Sequence, residues 1–176
     1  MLFGAGADSG TFDYFTEAIN GKAKASRGDF TGSEDDNVLV QGIENNKNAL
    51  GYIPYAYFQP HEDRMKALAI VAKPGAPAVL PTLEAVKSGT YQPLSRPLFI
   101  YVSAKSAERP AVQRFVEFLL GEGPALIEEV GYLPLPDSAY ELARKRFAEK
   151  KTGTVFGGVP EVGIPVEELL SREASQ

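Results

Sequence analysis

Cysteine is absent from the 176-residue chain and histidine occurs once, at His61. Without thiols there is no disulfide framework, no cysteine nucleophile and no thiolate metal site. One imidazole leaves little scope for a histidine-based metal centre. No apolar run approaches the ~20 residues that a membrane-spanning helix needs. The N-terminal stretch Met1-Leu2-Phe3-Gly4-Ala5-Gly6 lacks the basic start and long apolar segment of an export signal. Basic residues are the minority: 18 Lys and Arg against 23 Asp and Glu give a net charge of −5, with no basic cluster. Nucleic acid and anionic membrane surfaces are therefore poor partners.

What is present is ordinary globular usage, 44% hydrophobic and 23% charged, long enough for one domain or two small lobes. The 17 glycines and 13 prolines predict plentiful loops. Leu2-Phe3 reads as a strand end and Gly4 to Gly10 as a turn. A helix follows over 11–20, with Phe12, Phe15 and Ile19 on one stripe and Asp8, Ser9 or Thr11 as its cap. A loop over 21–32 precedes a helix starting at Ser33 and closing at Asn45-Asn46. Strands are expected over 49–55, with an aromatic loop at Tyr55-Ala56-Tyr57-Phe58, and over 66–71. A short helix near 81–88 is closed by Gly89. Leu98-Phe99-Ile100-Tyr101-Val102 is the strongest strand candidate by composition. Helices follow over 110–120, 125–130, from Asp137 to about Lys150, and near 165–172. Strands alternating with helices give an α/β class, with a soft boundary near 90–97.

Asp8-Ser9-Gly10-Thr11 at a helix start is the first candidate site. Unpaired N–H groups and a partial positive charge at a helix N-terminus bind anions, and glycine permits close approach of the backbone. The bland alternative is an ordinary N-cap. A nucleophilic Ser9 is rejected: Gly6 is misplaced for a G-x-S-x-G elbow, and His61 lies in a polar, turn-like stretch. Glu34-Asp35-Asp36, with Asp29 nearby, has the wrong spacing for a calcium loop and reads as acids complementing a helix dipole. Asp36 or Asn37 remains available to face a ligand. Arg27 and Arg96 are candidate anion clamps, since guanidinium donates two parallel bonds to an oxyanion. The aromatic run from Tyr52 to Phe58 is read as packing.

The stretch Asp8-Ser9-Gly10-Thr11-Phe12-Asp13-Tyr14-Phe15-Thr16-Glu17-Ala18-Ile19 resembles the substrate-binding protein of the bacterial high-affinity phosphate ABC transporter. So do the segments from Ser33 to Gly42, Ala49 to Tyr57, Pro93 to Val102, Val130 to Asp137 and Thr152 to Gly158. The resemblance implies a two-lobed, hinge-closing, type 2 periplasmic-binding-protein-like fold that traps phosphate, without metal, cofactor or catalysis. It implies that Ser9, Gly10 and Thr11 grip phosphate through hydroxyls and backbone N–H groups, and Asp8 beside them, with Asp36 and Asn37, stays a candidate contact from the reading of the residues. Many relatives place an arginine four residues before the serine. Ala5 stands there, so the clamp is absent or supplied by another arginine, for which Arg27 is the choice.

The resemblance also implies that this chain is the C-terminal half of such a protein, lacking the N-terminal part of the fold. Residues 1–95 would form much of the second lobe, and 96–176 would return through the hinge strand into the first. The expected partners are phosphate, a membrane permease, and the missing half as a separate chain or, failing that, a second copy. The expected location is periplasmic or extracytoplasmic. A different-class alternative is an interaction or phosphate-sensing module that keeps the fold but not uptake.

Overall fold

The computed structural model describes residues 1–159 and 161–175, so Pro160 and Gln176 of the expected tail lie outside the described residues. Two compact units divide at Ser95 and Arg96. In the first, β1 (Leu2–Ala5) is the centre of a three-stranded parallel sheet, flanked by β2 (Thr31–Ser33) and β3 (Leu50–Gly51). Phe3 lies opposite Thr31 and Ala5 opposite Ser33, while Leu2 lies opposite Leu50. A parallel strand covered on both faces has no polar side, and Leu-Phe-Gly-Ala has none.

Helix α1 (Gly10–Asn20) buries Phe12 and Thr16, one turn apart. It ends at Gly21, whose left-handed φ of 72° suits a residue without Cβ. Helix α2 (Asp36–Glu44) buries Leu39 and Val40. It approaches β1 closely: a Cβ on Gly42 would stand 2.2 Å from the Phe3 ring. The Phe15 and Tyr52 rings stack at 3.9 Å between centroids. Beyond these lie α3 (Tyr55–Phe58), the antiparallel pair β4 (Ile70–Val71) and β5 (Ala78–Val79), and α4 (Leu83–Lys87), capped by Thr82.

The second unit is helical: α5 (Pro110–Gly121), α6 (Gly123–Glu129), α7 (Asp137–Ala148) and α8 (Val166–Ala174). Val116, Leu120 and Tyr140 form its core, with Val112, Leu135, Ala143 and Phe147 packed against them. Polar groups tie the helices together: Arg144 donates to the Leu120 carbonyl at 2.7 Å, and Arg146 pairs with Glu173. Among the described residues no helix is long and apolar enough to cross a membrane.

Several local expectations are corrected. Leu98–Val102 forms no strand, because none of the described residues pairs with it, and Leu98 to Tyr101 stand 48–83% exposed. A strand is a pairing, and β-propensity alone does not make one. The strand expected over 66–71 shrinks to Ile70–Val71, and that over 49–55 to Leu50–Gly51, for the same reason. Tyr55–Phe58 is a helical turn, entered through Pro54, which presets φ. Thr31-Gly32-Ser33, expected as loop and cap, is β2, recruited by pairing with β1. Helix α2 accordingly begins at Asp36, with Asp35 as its cap.

Candidate functional site

In an open parallel sheet, ligands gather outside the carboxyl ends of the strands. The carboxyl end of β1 leads there directly into the turn before α1. The Gly6 N–H donates to the Ser33 carbonyl at 2.9 Å, which extends the ladder beyond Ala5. The Ser9 N–H then donates to the Gly6 carbonyl at 3.0 Å, which closes the turn. Ser9 is the N-cap of α1, in extended conformation, and its Oγ accepts the Thr11 N–H at 3.1 Å. Among the described residues, neither the Gly10 N–H nor the Thr11 hydroxyl has a hydrogen-bond partner. The turn thus offers a hydroxyl and a backbone donor at a helix start, which is the chemistry of oxyanion binding.

Two charged side chains approach this turn. The Glu34 carboxylate accepts the Asp8 N–H at 3.1 Å through Oε1. The Lys24 ammonium lies 3.3 Å from the Ala7 carbonyl and 3.8 Å from Asp13 Oδ1, so it touches both sides of Ser9-Gly10-Thr11. Its backbone takes a left-handed φ of 65°, held by an N–H bond of 2.7 Å to the hydroxyl of buried Thr16. Sequence reasoning missed Lys24. Nothing in Gly-Lys-Ala-Lys distinguishes it, since its position is set by Thr16 a helix turn and a loop away.

The other expected residues are placed as follows. Asp8 meets Glu34 through its backbone. Asp36 opens α2 half-buried, and burial first, then the neighbouring Asp35 and Glu34 charges, push its carboxyl above the ordinary value. Asn37 is engaged locally, its backbone and side-chain nitrogens both donating to Asp35 Oδ1, at 2.9 and 3.0 Å. Arg27 is paired bidentately with Asp29 on an exposed loop, and that bond raises the guanidinium and lowers the carboxyl. The structure brings Arg27 to Asp29 and records no contact between it and the turn. His61 bonds Glu44 at 3.2 Å, so no imidazole relay reaches Ser9. Among the described residues no group of three or more His, Asp or Glu side chains converges as a metal cage.

The family model described as "PBP superfamily domain" matches residues 2–122. Protein SphX of Synechococcus elongatus is 47% identical over 172 residues, covering 98% of this chain and 50% of that protein. The phosphate-binding protein PstS of Staphylococcus haemolyticus is 34% identical over 142 residues, covering 79% of this chain and 43% of its own. A crystal structure of "a possible phosphate binding protein" from Planctomyces limnophilus superposes with a TM-score of 0.70 at 49% identity, covering 86% of this chain and 54% of that one. The chain spans about half the length of the curated relatives it matches.

Proposed function

From the premise that the chain belongs to the PBP superfamily domain family, we propose that it binds inorganic phosphate as part of the solute-binding component of an ABC importer. The observation that carries this reading is the free donor pair at the start of α1, Gly10 N–H and Thr11 hydroxyl, within residues 2–122 that the PBP superfamily model matches. Ser9 shapes the turn by capping α1, Gly10 and Thr11 supply donors, and the helix terminus favours the anion's charge. Lys24 supplies the positive charge that Ala5 does not. The protein acts as a carrier, outside the cytoplasmic membrane, and hands its ligand to a membrane permease.

In this reading Met1–Ser95 is the second-lobe portion with the anion turn, and the remainder returns toward the first lobe. A cleft ligand in such a fold is gripped from both lobes. The 176-residue chain by itself leaves one side of the anion to water, which competes for each donor. Its affinity is then roughly millimolar rather than micromolar. The exposed stretch Leu98 to Tyr101 is where the other half of the fold, or a second copy, would pair. Calorimetric titration of phosphate into the chain, alone and with the complementary half of a close relative, tests this. Millimolar binding that tightens markedly with the added half supports it. A monomer of micromolar affinity on its own contradicts it.

A further inference from the structure

The Asp8 N–H lies in the turn that leads to Ser9-Gly10-Thr11, and it is already occupied by an anion from the chain itself. Glu34 Oε1 accepts it at 3.1 Å. The carboxylate reaches that position only because residue 6 is glycine. A Cβ at Gly6 would stand 2.0 Å from Glu34 Oε1 and 2.6 Å from Glu34 Cδ, far inside contact distance. Glu34 precedes the α2 cap Asp35, so the turn between β2 and α2 delivers it across to the turn between β1 and α1.

Resting on the phosphate reading above, we infer that Glu34 is an internal competitor for the anion turn and a determinant of its affinity. An arriving phosphate is an oxyanion seeking N–H donors within one or two residues of Asp8. It meets a carboxylate that holds one such donor and repels it through like charge. The carboxylate is exposed and held by a single backbone bond, so it can yield, and binding of phosphate is coupled to its release.

Two substitutions separate the charge from the seat. Glu34→Gln keeps the shape and removes the charge. Gly6→Ala keeps the charge and evicts the side chain, and it is tolerated because Gly6 does not sit at positive φ and the obstructing atoms are the end of a flexible chain. Phosphate titration followed by amide NMR on the 176-residue chain gives the affinities, with melting temperatures alongside. Glu34→Gln is expected to bind phosphate about two- to fivefold tighter, the scale of an exposed charge interaction. Gly6→Ala is expected to tighten binding too, and Glu34→Gln should then add less in the Gly6→Ala background than alone. Equal or weaker binding by Glu34→Gln overturns the inference, as does an equal increment in both backgrounds. A fall in melting temperature with no gain in affinity would reduce Glu34 to a loop clamp and overturn it as well. Thr11→Ala in the same series keeps the two claims apart: unchanged affinity there defeats the phosphate turn itself, whatever Glu34 does.

Discussion

Leu2–Ala5 and Leu98–Val102 both open on Leu-Phe and have opposite fates. The first is a strand with a parallel partner on each side, and its Phe3 and Ala5 are buried. The second is richer in β-branched and aromatic residues, yet it has no strand partner among the described residues and Tyr101 is 83% exposed. The difference lies in neighbours. Thr31-Gly32-Ser33, which is polar and reads as loop, becomes a strand because β1 is beside it. Propensity proposes a strand, and pairing decides it.

The largest expected effect comes from breaking the paired region. Phe3→Ala removes a buried ring that fills the space over Gly42, and should destabilise the first unit by about 3–5 kcal/mol. Phe99→Ala removes a ring half in water, with an edge-on contact to Phe156 at 5.5 Å, and should cost about 1 kcal/mol or less. Urea unfolding of the two variants measures the contrast directly, and equal losses would break it.

Next in size is Thr11→Ala. Loss of one hydroxyl donor to a charged ligand costs about 1.5–3 kcal/mol. Phosphate affinity should fall about tenfold or more, with unfolding midpoints unchanged. A smaller effect is expected for Tyr101→Lys. Charge on an exposed, unpaired apolar segment opposes edge association. The variant should show reduced mass at high concentration by light scattering, with unaltered stability of the first unit.

How much of this was legible in the residues varies with what each signal depends on. The α1 start was readable because a polar cap, a glycine and an apolar stripe are all local, and Ser9, Gly10 and Thr11 lie together at that helix start. The α2 start was misplaced because Ser33, Asp35 and Asp36 are all able to cap, and the choice fell to strand pairing by Ser33. Arg27 has the chemistry of an anion clamp, but that chemistry says nothing of its neighbour Asp29 claiming it first. Lys24 and Glu34 reach the turn only through tertiary placement, so no pattern of spacing announces them.

The smallest effect concerns Asp36. Its carboxyl is raised by burial and then by Asp35 and Glu34. A raised carboxyl favours the folded state in its protonated form, so its stabilising contribution is present below the unfolded value and lost as pH rises through the folded one. Asp36→Asn should therefore be slightly more stable than the parent near neutral pH. The advantage should vanish in acid, as thermal melts across that range would show.

The central claim is that phosphate is held at the turn after β1. The most direct measurement is amide NMR of the chain titrated with inorganic phosphate. The account predicts saturable millimolar shifts centred on Ser9, Gly10 and Thr11, with Leu98 to Val102 unmoved. Silence at those three amides, with shifts elsewhere or none at all, would contradict it.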